Sequence, residues 1–209
     1  MSNQNQNAYA LTTLCPLIAV SGQDASPAAL IRDRLHVVNT GARSPMAQVP
    51  NVYFCRLLIL DDVIYETKPH HLEHLKSQYL VFEASLHGKL EPFLDGMWQH
   101  AEPFIRSIWE FCIGFSEVRD ARSFASYIER CQVKTTFFFN GSTDEPLAEQ
   151  LKSLYLKQEF SKFAYAHQGL PAQELRAAFT AFIARVEPEN LARPTWRAGA
   201  TELSDVVIP

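Results

Sequence analysis

The chain switches between two hydrophobic rhythms, and the switches mark its elements. Residues 52–60 are almost continuously apolar and rich in strand formers, with Arg56 in the middle. Residues 79–86 and 133–139 have the same character, and residues 9–20 carry a looser version through Leu11, Leu14, Leu17 and Val20. These four runs predict strands. Elsewhere the period lengthens to that of a helix. Leu30, Ile31, Leu35 and Val38 form one stripe, opened by Ser26-Pro27 and closed by Gly41. A serine can accept a bond from an exposed N–H, and proline costs nothing at the first helical position. A longer stripe runs from Leu90 through Phe93, Leu94, Met97, Trp98, Ile105, Ile108 and Trp109 to Cys112. Pro103 lies inside it and predicts either two helices or one kinked helix. Asp120 caps a further helix bearing Phe124, Ile128 and Cys131. Ser142 with Glu145 fits a capping box for a helix bearing Leu147, Leu151, Leu154 and Tyr155. A last helix after Pro171 carries Leu175, Phe179, Phe182, Ile183 and Val186.

The order strand, helix, strand, strand, helices, strand is the β-α-β-β-α-β split pattern. It predicts an α+β fold: a ferredoxin-like four-stranded antiparallel sheet with helices on one face and a C-terminal helical extension. Residues 1–209 are read as one domain. A disordered tail spans 1–8, a ferredoxin-like core 9–140, C-terminal helices 142–186 and an extended tail 187–209, which lies on the surface or reaches a partner chain. One sheet face then remains to be covered. A second copy of the chain does this economically, because a twofold axis hides both faces at once, so a homodimer is expected.

Composition sharpens this picture in three places. Of 209 residues, 14 are Phe, enough for a dense core or an apolar cavity holding a small hydrophobic ligand. The net charge of -4, with Arg119, Arg122 and Arg130 interrupted by Asp120 and Glu129, argues against a nucleic-acid partner. Cys15, Cys55, Cys112 and Cys131 are scattered among apolar residues, which suits a reducing compartment. With no basic-then-apolar leader and no run of membrane-spanning length, the expected location is cytoplasmic, without membrane contact.

Candidate chemistry is sparse. Arg56 and Glu83 sit on adjacent strands with side chains on one sheet face, where they can pair, or where the guanidinium can receive a carboxylate or propionate. His87 ends the strand after Glu83 and is a candidate ligand-binding residue. His70, Glu73 and His74 spell H-x-x-E-H, with two histidines one helical turn apart, and would hold a metal if a short helix spans 69–76. Nucleotide-binding glycine loops and the G-x-S-x-G elbow are absent.

Two segments carry a resemblance. Val52-Tyr53-Phe54-Cys55-Arg56-Leu57-Leu58-Ile59-Leu60 is similar to a strand written H-F-A-R-F-V-V-L in a group of bacterial proteins. Leu80 to Gly88 resembles that group's L-L-F-x-S-x-x-D-G, with His87 where the group tends to have Asp and Tyr53 where it tends to have His. The group resembles the dimeric α+β barrel superfamily, which includes dye-decolourising peroxidases, chlorite dismutases and small cofactor-free monooxygenases. The resemblance implies an apolar cavity between sheet and helices. It makes haem a candidate cofactor, although Leu94-Asp95-Gly96 lacks the first glycine of the peroxidase G-x-x-D-G loop. Two readings result. One is a small-molecule-binding barrel with oxidative, peroxidase- or monooxygenase-like activity on a hydrophobic substrate. The other is a non-catalytic ligand-binding or protein-interaction module.

Overall fold

The computed structural model describes residues 3–19, 25–40, 44–63, 74–141 and 144–199. The chain falls into two compact units, Met1–Asp144 and Glu145–Pro209. The single domain expected over residues 1–209 is thus divided at Asp144–Glu145.

The first unit holds a four-stranded antiparallel sheet made of β1 (Gln4–Asn5), β2 (Ala8–Pro16), β3 (Val52–Leu60) and β4 (Tyr79–His87), in the order β1-β2-β4-β3. The three long strands are those the apolar runs predict. The fourth is not. Residues 133–139 form no strand, and the two-residue β1, from the segment expected to be a disordered tail, pairs with β2 instead. Residues 132–133 still approach the same side of β2, through a bridge between Thr13 and Gln132 and a bond from the Val133 N–H to the Thr12 carbonyl (2.8 Å).

What fastens the following residues is a row of asparagines at alternate positions. The Asn3 side chain accepts from the Thr135 N–H (3.2 Å) and donates to the Val133 carbonyl (3.4 Å). Asn5 donates to the Phe138 carbonyl (3.3 Å), and Asn7 donates to the Asp144 carboxylate through both its backbone N–H and its side-chain amide (each 3.1 Å). Side-chain amides thus take the place of ladder bonds. Local strand propensity loses to an edge that is already occupied.

One sheet face is covered by α1 (Pro27–Thr40), α2 (Leu90–Trp109) and α3 (Ala121–Cys131). The starts of α1 and α3 follow the capping chemistry. Ser26 Oγ accepts from the Ala29 N–H, and Asp120 and Ser123 form a reciprocal capping box. In α2 the backbone leaves helical geometry at Ala101 (φ -134°, ψ 19°), two residues before Pro103. Proline lacks the N–H that would continue the ladder and its ring strikes the preceding turn, so one kinked helix results. Gly96 permits the close approach of another segment: a Cβ there would lie 2.9 Å from Pro50 Cδ. The core beneath the helices centres on Trp109, set edge-on to Phe82 (5.4 Å) and Phe124 (6.3 Å).

The second unit pairs α4 (Leu147–Ala166) with α5 (Ala172–Val186) in an antiparallel hairpin, Phe163 packing on Phe179 and Phe182. Pro146 precedes α4; Ser142, the predicted cap, lies outside the described residues. The described part of the expected extended tail folds back. Lys152, 2% exposed, donates to the carbonyls of Val186 and Pro194 (both 2.7 Å), and Trp196 packs against the hairpin's apolar cluster.

Candidate functional site

The helix-free sheet face is the most distinctive surface of the first unit. Strand pairing builds it in cross-strand rows: Ala10, Ser85 and Phe54; Thr12, Glu83 and Arg56; Leu14, Val81 and Leu58; Pro16, Tyr79 and Leu60. Period-two alternation puts Leu11, Cys15, Phe82 and Ala84 on the other side, under the helices. A register shift between Val52 and Phe54 lets Val52 stay buried while Phe54 turns outward. Phe54 is 65% exposed, and Leu14 and Leu58 are exposed nearly 40%. The face is therefore apolar and open along most of its length.

Its one charged row is the pair the sequence predicts. Arg56 and Glu83 are direct register partners, and Arg56 Nε donates to Glu83 Oε2. The hydrogen bond that Arg56 donates to Glu83 raises the arginine pKa above its already high ordinary value, so the guanidinium is always charged. Because the arginine side chain is two-thirds exposed, the pair adds little to folding stability. Its effect is on what can dock: one fixed cation beside one fixed anion in apolar surroundings.

The other predicted site residues do not join it. His87 lies four residues from Glu83, about 13 Å along an extended strand. Its Nε2 is 3.1 Å from the Asp144 carbonyl, and its ring meets Tyr53 edge-on. His70 and Glu73, with most of the predicted 69–76 helix, lie outside the described residues. His74 is engaged by a carboxylate: its Nδ1 lies 2.5 Å from Asp62 Oδ2. Asp62 Oδ1 accepts from the N–H groups of Val63 and Leu75 (2.8 Å each) and so ties together the two ends of the 63–75 connection. These bonds, the Leu75 N–H foremost, lower the Asp62 pKa to about 2. Among the described residues, no three His, Cys, Asp or Glu side chains are grouped to hold a metal.

The covered side of the sheet does not fit a haem. Where the resemblance implies a cavity, Leu11, Phe82, Trp109, Phe124 and Ile128 fill the space, none more than 1% exposed. The histidine nearest the sheet's end is held by a backbone carbonyl.

Sequence reasoning missed one cluster. Cys15, Cys112 and Cys131 gather beneath β2, because Leu17 bridges to Cys112 and Thr13 to the neighbour of Cys131. Contact with Cys112, together with burial, pushes the Cys15 thiol up to about 11. Cys131 is raised as well, chiefly by Cys15. Such thiols stay protonated at neutral pH and are poor nucleophiles. Cys55, on the helix side of β3, is raised by burial. No sequence spacing signals this cluster, since its members are drawn together only by the sheet.

Among the described residues, no helix is long and apolar enough to cross a membrane. No family model matches the chain, and no curated protein or solved structure matches it significantly.

Proposed function

We propose that this chain is a self-associating binding module of ferredoxin-like architecture, and that its working surface is the open sheet face, closed by a second copy. The observation that carries this reading is the row Thr12–Glu83–Arg56 set among Leu14, Val81, Leu58 and Phe54. An exposed apolar face of this kind marks an interaction surface. The charge pair favours a second copy over an unrelated partner. A twofold axis near the pair sets Arg56 of one copy against Glu83 of the other, so the surface is complementary to itself. A small apolar molecule bearing a carboxylate would find Arg56 as its partner in the enclosed space.

The test is sedimentation equilibrium of the wild-type protein beside Phe54→Lys/Leu58→Lys. Both positions are solvent-facing, so the double variant keeps its fold. The reading expects a wild-type dimer and a monomeric variant. A wild type that stays monomeric at high micromolar concentration overturns it.

A further inference from the structure

We infer that the cleft between α4 and α5, within the second unit, is a binding site for a hydroxyaryl carboxylate, independent of the open sheet face. Phe163 on α4 and Phe182 on α5 pack against each other (4.8 Å) and form its floor. Ala166 follows Phe163 by three residues and Ala178 precedes Phe182 by four, so each stands one turn along the same helix face. Small side chains there leave the space between the helices unfilled. The result is a cleft of about 540 Å³. Small-molecule sites have this size, and they combine apolar walls with a few placed polar groups.

Charge sets one end of the cleft. Glu159, 9% exposed, accepts from Lys162 Nζ (2.6 Å) and from Arg185 Nη1 (2.7 Å). One carboxylate holds two cations, so one positive charge is left over. An ammonium has three N–H donors and a guanidinium five, and Glu159 takes one from each. Both cationic side chains are about half exposed, which leaves their other donors open to a ligand. The Arg185 guanidinium also lies over the Phe182 ring (5.5 Å), at the edge of the floor. An aromatic floor that ends in an excess cation with donors to spare selects a carboxylate on an apolar body.

His167 sets the other end. Its ring stacks on Phe163 (4.3 Å), and its Nδ1 lies 2.8 Å from the Phe163 carbonyl. A carbonyl only accepts, so Nδ1 carries the proton and Nε2 of the neutral ring is left as an acceptor. Nε2 has no hydrogen-bond partner among the described residues. His167 lies five residues beyond Lys162 and eight beyond Glu159, or about 7–12 Å along the helix axis. A hydroxyl at that distance from the carboxylate completes the ligand. A para-hydroxyphenyl ring on a two-carbon acid chain, roughly 9 Å between its end oxygens at ordinary bond lengths, spans the two ends with its ring on the floor.

Isothermal titration calorimetry of the full chain tests this, with 3-(4-hydroxyphenyl)propionate, 3-phenylpropionate and tyramine as probes. The wild type should bind the first more tightly than the second, and should not bind tyramine, which carries a cation in place of the acid. Ala181→Phe fills the cleft from an exposed position that lines it, so the fold is kept. Arg185→Gln removes the excess charge. Each should weaken binding of the first probe at least about tenfold. His167→Phe keeps the ring stack without Nε2 and should bring the two acids to equal affinity. No binding at millimolar probe overturns the inference, as does binding that survives Ala181→Phe. Binding that weakens as protein concentration is raised would give the cleft to a second copy, and overturns it too. The sheet-face reading stands or falls separately, on its own sedimentation test.

Discussion

Replacing Lys152 by methionine probes the second unit at one atom. The two side chains are similar in length, but methionine cannot donate. The Val186 and Pro194 carbonyls, now bonded at 2.7 Å, would lose their partner inside a region where Lys152 is 2% exposed. A buried polar group left unpaired costs about 1–3 kcal/mol. Part of that is returned because methionine needs no charge desolvated, so the net loss is about 1–3 kcal/mol rather than the sum of two. Burial lowers the lysine pKa from its ordinary 10.5. Between the lowered value and 10.5 the unfolded chain holds a proton that the folded chain does not. This group's contribution to stability therefore rises with pH across that window. A neutral amine retains two N–H groups, enough for both carbonyls. Denaturant unfolding of wild type and Lys152→Met at pH 7 and near pH 10, with hydrogen exchange over 187–199, checks the whole chain of reasoning. The expected outcome is a less stable variant, a less protected tail and a stability gap that widens at the higher pH. A variant as stable as wild type with an equally protected tail would show that the lysine does not pin residues 187–199.

Three further outcomes are expected. Gly96→Ala places a methyl group against the Pro50 ring, which is itself constrained, and should lower stability by about 1–3 kcal/mol in thermal unfolding; an unchanged melting temperature would mean that the 45–50 segment moves aside freely. The Asp62 clamp has a depressed folded pKa, so its contribution is complete above about pH 4 and is lost as pH falls through about 2. Exchange of the Leu75 amide should therefore rise over that interval, beyond its intrinsic pH dependence, in the wild type but not in Asp62→Ala. The protonated Cys15 and Cys131 thiols should react with a neutral-pH alkylating reagent far more slowly than a free thiol; rapid labelling of either in the folded protein would contradict the burial and contacts assigned to them.

The parts of this fold legible in the sequence are those whose cause is local. Residues 52–60 and 79–86 read as strands because apolar strand formers crowd there, and alternation within each strand groups Arg56 with Phe54 and Leu58, and Glu83 with Val81 and Ser85; the register of β3 on β4 is what sets the two charges opposite each other. Pro103 announced the kink and Asp120 the cap, since each acts on its own backbone neighbours. Residues 133–139 misled for the complementary reason. Their composition favours a strand, but whether a strand forms depends on whether an edge is free, and β1 takes that edge. The N-Q-N-Q-N run looked like a solvated tail because it carries no hydrophobic period; its order comes from amides bonding to residues some 130 positions away. Lys152 was hidden in the same way, as one charged residue among several on a helix gives no sign that two carbonyls from residues 186 and 194 will enclose it. The thiol cluster joins residues 15, 112 and 131, whose proximity exists only once the sheet has formed.

Reversing each half of the central charge pair tests the account most directly. Arg56→Glu leaves two acids on the open face, and Glu83→Arg leaves two bases. If a second copy of the chain covers that face, light scattering should find each variant alone near the 23.7-kDa chain mass and an equimolar mixture near twice that value. A mixture that stays monomeric, or single variants that dimerise as the wild type does, would contradict the claim that the open sheet face is where this protein meets its own copy.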